Sequence, residues 1–325
     1  MSTYAWLAAP AFAAFILIAL LRRTRVAALL ADHPNQRSLH VQPRPRIGGL
    51  GIMAAALPCI ALGGLHLAIV AAMALFLAAI SLGDDLRNLP IEVRLPAHLV
   101  AASVAWLAFG SHAGTYGWGA ATAAIFVTVW MTNLFNFMDG SDGLAGGMAL
   151  FGFAAYAWAA HQAGRDDLAW SCAATSAAAL GFLAHNFPPA RVFMGDAGSV
   201  PLGFLAAALG IYGIVSGIWP VWFPPLVFAP FVLDATVTIL RRLARGERVW
   251  TAHREHFYQR LVLSGWSARG LALAAYALMA ACASAALWAL RQGHDLPYVI
   301  IAASAAIHVL LFFAIERSFR ASARR

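Results

Sequence analysis

Lysine is absent from this chain, and all 22 of its basic residues are arginine. Charge of any sign is scarce, at 11% of 325 residues, where a soluble domain carries about a quarter. Cysteine is scarce as well. Cys59, Cys172 and Cys282 each stand alone in an apolar run, without a CxxC pair. That excludes a disulfide framework and a thiolate metal site, and leaves packing as their default role. There is no polar low-complexity tail, no internal repeat and no stretch that reads as a soluble domain. The first apolar run, 4–21, lacks the preceding positive charge of a cleavable signal peptide; Arg22, Arg23 and Arg25 follow it instead. It is expected to be a retained helix with its N-terminus outside.

Apolar residues make up 62% of the chain, with mean hydropathy +0.73. A bilayer helix needs roughly 20 mostly apolar residues. Runs of that kind recur at 4–21, 47–64, 66–82, 96–110, 117–136, 144–161, 167–186, 198–216, 218–240, 268–290 and 297–315. Each is bounded by Gly, Pro or charge, as helices are and alternating barrel strands are not. The expectation is an all-α polytopic membrane protein of 10–11 spans, one domain over 1–325. With the loops numbered alternately from the first span, only Arg165 and Arg291 fall on one side and the other twenty arginines on the other. The positive-inside rule makes the arginine-rich side cytoplasmic. Orientation alone accounts for about half of the arginines, and no nucleic-acid partner is expected. Orientation does not require the acidic residues that gather on the same side.

Those polar residues form four stations. SLGDDLRNLP puts Asp84 and Asp85 at the end of the third span, with Gly83 read as a turn. Adjacent carboxylates repel, and a divalent cation or cationic substrate relieves that; a polar helix end is the plainer reading. NLFNFMDGSDGLAGG places Asn133, Asn136, Asp139 and Asp142 three apart, the helical repeat of one face. Asp-Gly twice over is ordinary turn chemistry, but a turn does not need two Asn within the apolar run before it, where unsatisfied polar groups are costly. GDAGS at 195–199 sets Asp196 at a helix start that would favour an anion. A hard cation bridging Asp196 to phosphate resolves the conflict; a capping residue is the alternative. The fourth, RRLARGERVWTAHREHFYQRL, holds His253, Arg254 and His256 beside Tyr258, Gln259 and Arg260. It is not HExxH, and a His-pair zinc site lacks an obvious third ligand. Basic and aromatic groups together suit a nucleotide pyrophosphate or a sugar. Four such stations on one face point to phosphoryl transfer with a lipid substrate.

GDD at 83–85, NLFNFMDGSDGLAGG and GDAGS, in this order between RPRIGG at 44–49 and HREHFYQRL at 253–261, resemble the polyprenyl-phosphate N-acetylhexosamine-1-phosphate transferase family over nearly the whole chain. HREHFYQRL looks like the bacterial branch that starts O-antigen and related lipid-linked glycans. It departs from the triple-His pattern of the peptidoglycan branch and from the HxHH pattern of GlcNAc-specific enterobacterial enzymes, so the sugar stays open among GlcNAc, FucNAc and QuiNAc. The resemblance implies that undecaprenyl phosphate attacks the sugar-linked phosphorus of a UDP-N-acetyl sugar and that UMP leaves. It implies Mg²⁺, with Mn²⁺ as a substitute, on Asn136 and Asp196. Asp84, supported by Asp85, would orient or deprotonate the lipid phosphate. A phosphomonoester's second pKa of about 6 makes positioning the larger part of that role. Asn133, Asp139 and Asp142 would hold the nucleotide or the metal's surroundings, Arg44 and Arg46 phosphates, and His253, Arg254 and His256 the pyrophosphate or sugar. It further implies a multi-pass protein of the bacterial inner membrane with cytoplasmic active-site loops, and a homodimer.

Two other classes stay in view. A transporter would use Asp234, inside the ninth run, as a coupling group near mid-membrane. An intramembrane aspartyl protease needs two facing Asp within helices, whereas Asp84 and Asp196 read as Gly-bounded loops. Orientation is directly testable. A single cysteine introduced into 241–267, in a background without the native cysteines, is expected to resist an impermeant thiol reagent in intact cells. Ready labelling from outside would overturn the orientation.

Overall fold

The computed structural model describes residues 3–32, 42–109, 116–248, 253–292 and 296–322, with side chains from Ala8 onward. Gly110, the last residue of the fourth expected span, lies outside them. In chain order the elements are α1 (Thr3–Leu21), α2 (Arg25–Leu29), β1 (Ala31–Asp32), β2 (Arg44–Pro45), α3 (Gly48–Ala61), α4 (Leu65–Arg87), α5 (Ile91–Ala108), α6 (Trp118–Phe137), α7 (Leu144–Gln162), α8 (Asp166–Asn186), α9 (Asp196–Val215), α10 (Phe223–Val227), α11 (Ala229–Ala244), α12 (Phe257–Leu263), α13 (Ala268–Ala289) and α14 (Leu296–Ser322). Helices dominate because a chain this apolar must satisfy its peptide groups within each segment once water is absent. Seven of them, α4, α5, α6, α8, α9, α13 and α14, are long and apolar enough to cross a membrane among the described residues. With α1, α3, α7 and the α10–α11 pair they occupy the eleven expected runs, and the chain is an all-α polytopic membrane protein.

The ninth run departs from expectation. It is broken at Phe228 into α10 and α11, each with proline in its first turn. Pro224, Pro225 and Pro230 lack the N–H an uninterrupted helix needs and clash with the carbonyl four residues back. The break frees α11, which carries Asp234, to take its own direction. The third run departs too: α4 continues through Gly83 to Arg87, so Asp84 lies inside a helix and not in a Gly-bounded loop. The turn comes at Asn88, in the left-handed region at φ 51°.

α9 is the axis of the bundle. Over its apolar stretch 83% of residues are buried, against 6% for α14, which faces outward. Small residues let neighbours approach it closely, the usual packing mode between membrane helices. A Cβ at Gly49 of α3 would lie 2.3 Å from the Gly198 Cα. Just before these helices the chain pairs in extended form: Phe193 N donates to Pro45 O (2.9 Å), Gly48 N to Phe193 O (2.9 Å) and Gly49 N to Met194 O (2.8 Å). On the other side of Arg46, β1 and β2 form an antiparallel ribbon with Asp32 opposite Arg44. RPRIGG and GDAGS, about 150 residues apart, are thereby joined.

Gly49→Ala forces a methyl onto backbone, and overpacking of this kind costs about 1–3 kcal/mol. Gly119→Ala, in open space within α6, is the control. The first is expected to lower the thermal midpoint in detergent and the second to leave it unchanged or slightly raised. Equal midpoints would contradict the close α3–α9 crossing.

Candidate functional site

Successive residues on a helix point about 100° apart, so the adjacent carboxylates of Asp84 and Asp85 diverge. Asp84 is buried and accepts from Leu89 N (2.6 Å), closing the helix end, and from Arg94 Nη1 (2.9 Å) at the start of α5. Asp85 turns inward. Its Oδ2 accepts from Ala197 N in the first turn of α9 (3.2 Å) and its Oδ1 from Arg46 Nη1 (3.3 Å). A helix N-terminus stabilises negative charge, which helps this carboxylate tolerate a side-chain exposure of only 1%. Arg46 divides its guanidinium between Asp85 and Asp32.

Asp196 is the first residue of α9. Gly195 before it has φ 75°, and a side chain there would also meet Arg46 Cβ at 2.9 Å and Asp85 Oδ2 at 3.0 Å. From the last turn of α6, Asn136 donates through Nδ2 to Asp196 Oδ2 (3.2 Å) and accepts through Oδ1 from Ser199 Oγ (2.9 Å). The structure thus joins the two sequence-predicted metal ligands across 60 residues. Asp139 follows α6 into the same space. Burial, then the Asp196 and Asp85 carboxylates, push its pKa well above the ordinary range against the opposing pull of Arg46. Asp142 accepts from Ala190 N (2.9 Å), and Asn186 clasps Gly143 N (2.8 Å) and Val192 O (2.9 Å), so this loop is tied to the segment leading into α9.

Among the described residues, carboxylates outnumber the cations that meet them here. Asp84, Asp85, Asp139 and Asp196 converge with two guanidiniums, Arg46 and Arg94, and neither Asp139 nor Asp196 forms an ion pair among those residues. No three His, Cys, Asp or Glu side chains among the described residues stand ready to enclose a metal ion. That set is unsuited to a closed zinc site. One carboxylate and one amide, amid further carboxylates, fit a hard cation that takes its remaining oxygens from water and substrate phosphates.

The histidine segment reaches this site from α11. Asp234 Oδ1 accepts from His256 Nδ1 (3.2 Å), Phe257 N (3.0 Å) and Thr238 Oγ1 (3.3 Å), and its Oδ2 from Tyr258 N (3.1 Å). Gln259 Oε1 accepts from His256 N (3.2 Å). Asp234 is therefore the anchor of α12, and the transporter reading loses its coupling group. Tyr258 OH donates to Phe137 O (3.1 Å) and stands where a side chain on Gly140 would fall. That hydroxyl seats the segment against the Asp139 loop, and burial raises its pKa. The His253 and His256 rings lie 4.9 Å apart. Arg254 is half-buried and makes no ion pair among the described residues.

Two predicted residues lie apart. Asn133, one turn deeper in α6, bonds His98 Nδ1 (3.2 Å) and Val129 O (2.7 Å). Among the described residues, the Arg44 side chain bonds Gln42 alone (3.1 Å), at the surface. Sequence reasoning missed Asp32, Arg94 and His98, and gave Asp234 a different part. Their significance lies in partners 10 to 35 residues away, and no local pattern marks them.

A family model for "Glycosyl transferase family 4" matches residues 67–214. A probable undecaprenyl-phosphate N-acetylglucosaminyl 1-phosphate transferase of Bacillus subtilis is 26% identical over 277 residues, 80% of this chain and 77% of the relative. The decaprenyl-phosphate N-acetylglucosaminephosphotransferase of Mycolicibacterium smegmatis is 30% identical over 290 residues, 75% of this chain and 71% of the relative. The chain belongs to glycosyl transferase family 4. A phospho-N-acetylmuramoyl-pentapeptide-transferase of Geobacillus kaustophilus, 35% identical over 158 residues, covers 46% of this chain. The family 4 match encloses Asp84, Asp85, Asn136, Asp139, Asp142 and Asp196, while Arg46 and the histidine segment lie beyond it. The structure sets Arg46 on Asp85 and, through Tyr258, seats the histidine segment against the Asp139 loop.

Burial first, then His256 and Arg242, push the His253 pKa down to about 4, below its unfolded value of about 6.5. Between these values the unfolded chain binds more protons than the folded one. Stability therefore falls as pH drops from about 6.5 toward 4 and is insensitive to this group above that window. The thermal midpoint of the unaltered protein is expected to fall more between pH 7 and pH 5 than that of His253→Gln. Parallel falls would show that His253 is not held neutral.

Proposed function

We propose that this family 4 transferase moves an N-acetylhexosamine 1-phosphate from a UDP-sugar to undecaprenyl phosphate, as the first step of O-antigen or a related envelope glycan. The observation that carries the reading is the carboxylate surplus around the α9 N-terminus, faced by the histidine segment, at one end of a bundle of membrane helices. A polyprenyl phosphate keeps its tail in the bilayer and its phosphate at such an end. The two relatives with the broadest matches named above carry a polyprenyl phosphate and N-acetylglucosamine in their names. The bacterial inner membrane and a homodimer rest on the family resemblance, and an N-terminus outside rests on the arginine distribution.

In the reaction an oxygen of the lipid phosphate forms a bond to the sugar-linked phosphorus. The bridge from that phosphorus to the uridine-linked phosphate breaks, and UMP leaves with the bridging oxygen. Asp196 and Asn136 are the proposed holders of Mg²⁺, which when bound would neutralise charge on the pyrophosphate and the departing UMP. Asp85 and Arg46 fix the first turn of α9 and so the place of Asp196. Asp84, held by Arg94, faces the acceptor's phosphate as a positioning group, since that phosphate is already largely ionised at neutral pH. His253 and Arg254 are the proposed contacts to the pyrophosphate or sugar.

Purified protein given undecaprenyl phosphate, Mg²⁺ and a panel of UDP-N-acetyl sugars is expected to release UMP with at least one of them. Asp196→Asn keeps the size of the side chain and removes its charge. It is expected to lower turnover by roughly a hundredfold or more while the protein still elutes as a folded species. Release of UDP in place of UMP, or near-normal turnover in Asp196→Asn, would overturn the reading.

A further inference from the structure

The final helix, α14, is poorly held by the bundle. Only Pro297 and His308 are buried along it, and an apolar cavity of about 480 Å³ lies between it, α11 and α13. Its firm attachment is at one end and is directed at α12 and the last turns of α11. Phe312 stacks on Phe257 of α12, with centroids 3.9 Å apart and planes within 12°. One turn further, Glu316 gathers three arginines. Its Oε2 accepts from Arg260 Nη1 (2.5 Å) and from both Nη atoms of Arg241 (3.2 Å each), and its Oε1 from Arg320 Nε (2.8 Å).

Arg260 passes this contact on. Its side chain is 8% exposed, and it donates through Nε to the Glu255 carbonyl (2.9 Å) and through Nη2 to the Glu255 carboxylate (3.5 Å). Glu255 lies between His253 and His256, and its own N–H donates to His253 Nδ1 (3.3 Å). Three groups fix the segment. Asp234 holds His256 and the start of α12, Arg242 and Arg245 hold the Glu255 carboxylate, and Glu316, through Arg260, holds the Glu255 carbonyl. Arg241 stands on the last turns of α11, so the same carboxylate links α11, α12 and α14.

We propose that Glu316 is a positioning residue for nucleotide binding: it sets the His253–His256 segment against the carboxylate site from a helix that contributes nothing else to that site. This rests on the reading of that segment as the holder of the UDP-sugar. Without Glu316, the buried Arg260 guanidinium keeps only Glu255 as a carboxylate partner, and Arg241 and Arg260 repel one another. A buried guanidinium that loses a partner moves toward water or toward its remaining anion. Either movement releases the Glu255 carbonyl while Arg242 and Arg245 still hold its carboxylate, so the peptide whose N–H meets His253 Nδ1 is free to turn.

The test measures binding of UDP, the part of the donor common to every candidate sugar, by calorimetry on full-length protein in detergent with phospholipid. Glu316→Gln keeps the shape and loses the charge, Glu316→Ala loses both, and Glu316→Asp keeps the charge on a shorter arm. His253→Ala is the comparator. The Kd for UDP is expected to rise roughly five- to tenfold in Glu316→Gln and Glu316→Ala. Turnover at saturating donor should stay within about twofold of the unaltered enzyme, and Glu316→Asp should recover most of the affinity. Should Glu316→Ala fail to fold, Glu316→Gln carries the test. A lower thermal midpoint with unchanged UDP affinity in that variant would make Glu316 an anchor only and overturn the proposal. So would normal UDP binding in both Glu316 variants alongside weakened binding in His253→Ala. If His253→Ala also binds UDP normally, the donor reading of the segment fails first and the proposal falls with it.

Discussion

The site depends on one contact, the pairing of residues 45–49 with 193–194 immediately before both chains turn into helices. It brings the first turns of α3 and α9 so close that only glycine fits between them. From that crossing the rest follows. Arg46 is set beside Asp85, Asp85 accepts an N–H from the first turn of α9, and Asp196 opens that helix within reach of Asn136. Membrane helices have little hydrophobic force to bind one another. Backbone hydrogen bonds and close packing at such a crossing are therefore what fixes the geometry of the polar end.

That geometry holds more negative charge than its own cations answer. The protein reduces the cost in stages: Arg46 for Asp85 and Asp32, Arg94 for Asp84, and a helix N-terminus for Asp85 and Asp196. Asp139 remains crowded by Asp196 and Asp85. Crowding of this kind drives a carboxylate to take up a proton, as at Asp139; the proposed divalent cation would relieve it instead, while also binding the substrate's phosphates. The proposed reaction needs a membrane-level site of this kind, since one reactant carries its phosphate on a lipid and the other comes from water.

The sequence showed the spans and the four polar stations because both are local. An apolar run of the right length has few alternatives, and Asp and Asn spaced by three beside Gly stand out against it. The break at Phe228 was hidden because Pro224, Pro225 and Pro230 do not interrupt the hydropathy of the ninth run. The continuation of α4 through Gly83 was hidden for the opposite reason: Gly next to charge reads as a turn, and packing within the bundle outweighed that preference. Asp234 looked like a lone intramembrane acid because its partners, the N–H groups of Phe257 and Tyr258, are backbone groups more than 20 residues away. Arg94 and Asp32 were passed over as part of the arginine-rich side and its loops. Only the fold shows which carboxylate each arginine serves.

The central claim is that the carboxylates around the start of α9 hold a divalent cation through Asp196. Mn²⁺ is paramagnetic and takes the same hard oxygen donors, so its binding is read directly by electron paramagnetic resonance, without reference to turnover. Unaltered protein titrated with Mn²⁺ in the presence of UDP should take up one ion per chain, Mg²⁺ should displace it, and Asp196→Asn should lose most of the affinity. Equal Mn²⁺ uptake by Asp196→Asn, or none by the unaltered protein, would contradict it.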